Sequence, residues 1–208
     1  MHKAPNIFDH PWIIRGLTVV SLFLLKWRGW THHVDAPAER KYVLIIAPHT
    51  SNWDFLLMFP VGLLLKRRVK FMIKHTLFVG PFGSVLRWLG GIAVERSSQH
   101  NFVDQMAREF EQAEEMVLII APEGTRSRVE DWRRGFYHIA RQARVPVVRC
   151  YLDFGGRRAG IWEPFYPGDN ADSDIRAIRS SYDSVVARYP ECYVRSDESI
   201  TRDQSTVH

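Results

Sequence analysis

The chain has 208 residues, enough to bury a core of its own and few enough for a single domain. Apolar residues make up 46% of it and charged residues 25%, a balance that excludes a disordered or fibrous chain. A net charge of +5 and a pI near 9.4 favour an anionic partner, whether nucleic acid, an anionic membrane or a phosphorylated substrate; a merely solvated basic surface is the plain alternative.

In chain order, the first feature is the apolar stretch 12–25, bounded by Lys26 and Arg28. Its uncharged part, residues 16–25, is half the length of about twenty residues that a bilayer span needs. Trp12, Trp27 and Trp30 flank it in the manner of an interfacial belt. The expectation is a helix lying in or dipping into one leaflet, with a core helix or a full span as alternatives. No small-residue cleavage pattern follows it, so it does not read as a removable leader. Residues 1–35 are therefore assigned to an N-terminal membrane-associating segment, 36–195 to the main domain and 196–208 to a polar, aperiodic tail expected to be disordered.

The hexapeptide Val-Leu-Ile-Ile-Ala-Pro occurs twice, at 43–48 and 117–122. Both copies are unalternating apolar runs, the pattern of strands buried on both faces. Between them the pattern predicts a helix over 55–65, a basic run at 66–70, and a strand over 69–73. A short helix over 81–89 and a strand over 92–95 follow. An amphipathic helix over 101–116 comes next, with Asn101 as its N-cap. The basic run is either a solvated helix end or a contact for anionic headgroups. Beyond the second hexapeptide come a helix over 137–143 and a strand over 146–152. An edge strand over 161–166 and a helix over 172–189 complete the domain. The alternation of strands and helices predicts an α/β fold: a single mixed, largely parallel sheet flanked by helices, with an N-terminal amphiphilic helix. The two cysteines, Cys150 and Cys192, lie outside any metal-ligand spacing and suit a reducing compartment, placing the working part on the cytoplasmic side.

Each hexapeptide hands over to a compact polar cluster. The first is His49-Thr50-Ser51-Asn52-Trp53-Asp54 and the second Glu123-Gly124-Thr125-Arg126-Ser127-Arg128. Ligands of open α/β sheets gather beyond the carboxyl ends of the strands, so the two clusters make one site plausible. Histidine is the usual base near neutral pH, and a carboxylate on its other nitrogen fixes the tautomer and stabilises the imidazolium. His49 and Asp54 do not share a face of a straight helix; they meet if residues 50–53 form a turn. Gly-x-Ser-x-Gly is absent, which points away from a covalent acyl-enzyme and toward direct activation of a substrate hydroxyl. In the second cluster Gly124 permits an unusual turn, and Arg126 carries a planar donor fork suited to phosphate. A solvated loop with an internal Glu–Arg pair is the bland alternative there.

The first cluster matches the His-x4-Asp signature of the glycerolipid acyltransferase family, and Pro122-Glu123-Gly124-Thr125-Arg126-Ser127 matches its second hallmark. Gly90-Gly91-Ile92-Ala93-Val94-Glu95-Arg96 resembles the intervening block, and Val145-Pro146-Val147-Val148 the final one. From about Tyr42 to Leu152 the chain resembles the 1-acylglycerol-3-phosphate acyltransferase group. The resemblance implies an O-acyltransferase with His49 as general base and Asp54 as its orienting partner. It implies that Arg126 and Arg96 hold the acceptor phosphate and that Glu123, Gly124 and Thr125 shape that site. Lys74 is a further phosphate contact on the same ground. No cofactor is implied beyond the donor substrate, an acyl thioester on coenzyme A or acyl carrier protein. The partners expected are that donor, a lysophospholipid acceptor and an anionic membrane surface, with no nucleic acid. The alternatives are another lipid hydroxyl acceptor, a hydrolase in which His49 activates water, and a non-enzymatic anionic-lipid-binding protein.

Overall fold

The structure, a computed structural model, describes residues 6–94 and 99–197. Seven strands, β1 (Thr31–His33), β2 (Lys41–Ala47), β3 (Val69–Lys74), β4 (Gly91–Val94), β5 (Met116–Ile120), β6 (Val147–Asp153) and β7 (Arg158–Ile161), form one sheet in the order β1-β7-β6-β2-β5-β3-β4. All neighbours are parallel except β6 and β7, which form an antiparallel hairpin. The helices are α1 (Pro11–Trp27), α2 (Asn52–Leu64), α3 (Gly80–Trp88), α4 (Gln99–Gln112), α5 (Gly135–Ala143) and α6 (Ala171–Ser180).

The expected mixed, largely parallel sheet is what forms. In β2, six consecutive residues from Tyr42 to Ala47 are buried, because both faces are covered. Tyr42, Leu44 and Ile46 point into a cluster with Met58, Val61 and Leu65 of the α2 region. Val43, Ile45 and Ala47 point the opposite way, into a larger cluster with Met106 and Phe110 of α4, Phe136 and Ile139 of α5, and Ile178 of α6. The period of two thus assigns alternate side chains of one strand to two separate cores.

The two hexapeptides lie side by side in β2 and β5, one residue out of step: Tyr42 pairs with Val117 and Ile45 with Ile120. Both chains leave the sheet at the same carboxyl edge, which brings the two polar clusters together.

Helix α1 begins with Pro11 at its first turn, where the missing N–H costs nothing. It buries Ile14 and Leu25, Ile14 against Ile7 and Leu63. Its opposite face leaves Trp12, Val19, Val20, Phe23, Leu24 and Trp27 exposed. Among the described residues no helix is long and apolar enough to cross a membrane. The basic run is partly neutralised: Arg68 pairs with Asp9, and Lys70 with Glu109 of α4. It is neither wholly solvated nor wholly free for headgroups.

Several boundaries differ from the sequence reading. Helix α4 starts at Gln99, so Asn101 lies inside it rather than capping it, and Asp104 accepts from Gln142 of α5 at 2.9 Å. The helix stops at Gln112, and Met116 already belongs to β5. The edge strand expected over 161–166 lies earlier, over Arg158–Ile161, with Phe165 making only an isolated bridge to Val147. The reason is the β6–β7 hairpin, whose Asp153 carboxylate accepts from Arg158 at 2.7 and 3.1 Å. Helix α6 ends at Ser180 instead of reaching 189, because the backbone of Val186 is held elsewhere. Its carbonyl accepts from Phe154 N–H at 2.9 Å and its N–H donates to Asp153 at 3.3 Å. Strand β1 has no counterpart in the sequence reading. The tail expected to be disordered lies, from 198 on, outside the described residues.

Candidate active site

After β2 the chain passes through Pro48 to His49 and enters α2 at Ser51. Ser51 is the N-cap: its Oγ accepts from Trp53 N–H at 3.0 Å, while its own N–H donates to Asp54 Oδ2 at 2.8 Å. This reciprocal cap places the Asp54 carboxylate at the positive end of α2 and fixes its direction. The same Oδ2 lies 3.2 Å from His49 Nδ1. The turn needed for the pair to meet is therefore the cap of a helix. Asp54 is buried, whereas the His49 side chain keeps a quarter of its surface open. With Nδ1 turned to the carboxylate, Nε2 is the nitrogen left for a substrate.

Glu123 follows β5 by three residues, beyond its carboxyl end. It is buried, and its two carboxylate oxygens accept the His49 main-chain N–H at 2.9 and 3.1 Å. This bond ties the two clusters at the backbone level. Burial pushes the Glu123 carboxyl up to about 8; the nearby Asp54 charge adds to the rise, while the His49 N–H and Arg179 oppose it. Because the folded value lies above the ordinary 4.5, the folded state holds a proton that the unfolded chain gives up. This group's contribution to stability is therefore full below about 4.5 and is lost as pH rises toward about 8. Glu123→Gln keeps an acceptor for His49 N–H and removes the titration. The difference in Tm, variant minus wild type, is expected to grow from pH 5 to pH 8 in thermal unfolding. A difference that shrinks over that range would mean a charged Glu123 held by its surroundings.

Beyond Glu123 the chain reverses at Gly124, with φ of +69° and its N–H donating to Ala121 O at 3.1 Å. The turn delivers Thr125, whose Oγ1 accepts from Ser127 N–H at 3.3 Å, and the exposed Arg126. Arg126 Nη1 donates to Asn52 Oδ1, a second tie between the clusters. Lys74 is the last residue of β3, at the same carboxyl edge of the sheet. Arg96 lies outside the described residues.

His49, Asp54, Gly124, Thr125 and Arg126 line one cavity of about 1210 Å³. That is large beside the roughly 300–1,000 Å³ typical of small-molecule sites. Its remaining wall is mostly apolar, with Met58, Leu63, Phe71, Leu86, Phe102 and Ile139 among the side chains that line it. A histidine–carboxylate pair, several arginines and a mostly apolar wall around one cavity suit a substrate that is part anion and part hydrocarbon. Among the described residues no three His, Cys, Asp or Glu side chains come together as a metal cluster. Sequence reasoning missed Ser51, Asn52 and the cavity-lining Arg133, Arg134 and His138. The Ser-x-x-Asp spacing at 51–54 is a capping pattern that would have placed Asp54 on a helix start. Arg133 has no such local signal.

The sequence profile of the family described as Acyltransferase matches residues 31–153. No curated protein matches the chain significantly. Among solved structures, the chain is similar to the crystal structure of the 1-acyl-sn-glycerophosphate (LPA) acyltransferase PlsC from Thermotoga maritima. The TM-score is 0.54 at 16% identity, over 86% of this chain and 83% of that one, so the likeness is one of fold. The matched profile takes in both polar clusters and more than half of the chain, and the protein belongs to the Acyltransferase family.

Proposed function

We propose that this chain moves a fatty acyl group from an acyl thioester, on coenzyme A or acyl carrier protein, to the hydroxyl of a lysophospholipid-type acceptor, 1-acylglycerol-3-phosphate being the first candidate. The observation that carries the reading is the His49–Asp54 pair lining a large apolar cavity that also holds Arg126. His49 Nε2 takes the acceptor's hydroxyl proton as its oxygen attacks the thioester carbonyl. The new C–O bond forms, the C–S bond breaks, and the imidazolium returns the proton to the leaving thiolate. Asp54 stabilises that imidazolium between the two steps. Arg126, with Lys74 and Arg96, binds the acceptor phosphate, and Glu123, Gly124 and Thr125 set the shape of that end. A panel of acceptors offered with one labelled acyl thioester tests the reading. A phosphorylated lysolipid is expected to lead, and equal use of any long-chain alcohol would contradict it.

Arg126→Ala isolates the phosphate contact. A charge-assisted hydrogen bond contributes roughly 1.5–3 kcal/mol, so KM for a phosphorylated acceptor is expected to rise about 10–100-fold. With an unphosphorylated acceptor the effect shrinks. Equal loss with both would assign Arg126 a structural part, through its bond to Asn52.

The site works at a membrane surface, on the cytoplasmic face in this proposal. Support comes from the exposed apolar face of α1, flanked by Arg15, Lys26 and Arg28, and from two free cysteines. Trp12→Glu, Phe23→Glu and Trp27→Glu change exposed positions and leave the buried face intact. Each is expected to weaken co-sedimentation with anionic vesicles about 10–100-fold, from the roughly 1.5–3 kcal/mol of a buried large side chain. High salt weakens wild-type binding further. Unchanged binding in all three variants would remove α1 from the membrane contact.

A further inference from the structure

We propose that Arg133 is a second phosphate-binding residue of this site, acting beside Arg126. Three observations converge on it. First, Gly124 keeps a place open for it. A Cβ on Gly124 would meet Arg133 Nε at 2.5 Å and Cδ at 2.6 Å, with Cζ at 3.3 Å. The guanidinium stem therefore lies directly over the turn that carries Thr125 and Arg126. Second, its backbone is fastened there: Arg133 N–H donates to Pro122 O at 2.8 Å, so the residue is held against the second cluster by main-chain geometry. Third, Arg133 lines the same cavity as His49, Asp54 and Arg126.

Its neighbours show what distinguishes it. Arg134 is engaged with Asp172 at 2.6 Å, and Arg126 donates to Asn52. Among the described residues no carboxylate pairs with Arg133, whose side chain is exposed at the cavity. A planar guanidinium that is positioned by its stem, lines the cavity and, among the described residues, pairs with no carboxylate is placed to receive an external anion. The same packing gives Gly124 a reason beyond its positive φ, since any side chain there would displace the Arg133 stem. The anion is a substrate phosphate, and two sources share that chemistry: the acceptor's phosphomonoester and the phosphates of coenzyme A.

The kinetic arms of the test rest on the acyl transfer proposed above; the binding arm does not. Arg133→Met keeps the packed stem and removes the charge, and Arg133→Lys keeps the charge without the fork. KM is measured for 1-acylglycerol-3-phosphate against monoacylglycerol, and for acyl-CoA against the phosphate-free acyl-pantetheine. Titration calorimetry with 1-acylglycerol-3-phosphate and with coenzyme A reads binding without turnover. For Arg133→Met, KM and Kd are expected to rise about 10–100-fold for the phosphorylated member of one pair, with kcat little changed. Arg133→Lys loses less. A rise confined to the acceptor pair assigns the acceptor phosphate, and one confined to the donor pair assigns coenzyme A. Loss that is equal for phosphorylated and phosphate-free substrates, a fall in Tm without selective loss, or unchanged Kd for both ligands overturns the proposal. So does a wild-type protein that binds neither ligand. If the wild type prefers phosphorylated substrates and Arg133→Met does too, the proposed function stands and the role of Arg133 falls. If the wild type transfers no acyl group yet binds a phosphorylated ligand through Arg133, the reverse holds.

Discussion

His49→Ala is expected to lower acyl transfer on the order of 10²–10⁴-fold, the usual cost of removing a general base. The expectation follows from position. His49 lines the cavity, and its Nδ1 is committed to Asp54 at 3.2 Å, leaving Nε2 for the acceptor hydroxyl. The substitution leaves the fold in place. The link between the clusters at this point runs through the His49 main-chain N–H to Glu123, which alanine retains, and through Arg126 to Asn52. The variant should therefore melt near the wild-type temperature and bind substrates normally, with the loss in kcat. Activity within a few-fold of wild type, measured as labelled product per enzyme, would sink the assignment of the base.

Asp54→Asn is the second large effect, and its cause lies in one atom. Oδ2 serves both the Ser51 N–H at 2.8 Å and His49 Nδ1 at 3.2 Å, while Oδ1 is buried with no hydrogen-bond partner among the described residues. An asparagine keeps both contacts only by placing its NH₂ where Oδ1 lies, stranding two buried donors at about 1–3 kcal/mol. The opposite orientation loses the Ser51 bond and turns a donor toward Nδ1. That forces the imidazole tautomer whose Nε2 carries a proton and cannot accept one. Either orientation removes the charge that stabilises the imidazolium. Transfer is expected to drop on the order of 10²–10⁴-fold together with a measurable fall in Tm. A fall in Tm with transfer preserved would make Asp54 a helix cap and nothing more.

The parts of the fold that show in the sequence are those in which local pattern and tertiary role coincide. Strands β2 and β5 carry unbroken apolar runs because helices cover both faces, so the run itself announces the strand, and β6 keeps that outline although Arg149 interrupts it. Strand β1 is Thr31-His32-His33, exposed throughout, and exists only because β7 offers it a parallel edge. Strand β7 depends in turn on the Asp153–Arg158 pair across a glycine-rich turn that reads as loop. The helix expected over 172–189 fails for a similar reason. Ile178, Tyr182 and Val185 keep helical spacing and are buried, yet the Val186 backbone is captured by Asp153 and Phe154. At the site, His49 and Asp54 are legible because a single capped turn, local in sequence, brings them together. Glu123 and Arg126 are legible as a motif, but their bonds to His49 and Asn52 span 74 residues and depend on β2 and β5 being neighbours. Arg133 is invisible from sequence because its place is defined by the missing side chain of Gly124.

The measurement that tests the central claim most directly is the stoichiometry of thiol release from an acyl thioester, with and without acceptor. The purified protein receives labelled acyl-CoA together with 1-acylglycerol-3-phosphate, monoacylglycerol or buffer alone, and free thiol and labelled lipid are counted in parallel. Direct activation of an acceptor hydroxyl by His49 predicts one labelled phosphatidate for each thiol released and negligible release in buffer. Mass spectrometry should find no acylated protein at any time. Thiol release at the same rate without acceptor, or an acyl group lodged on the protein, would contradict it.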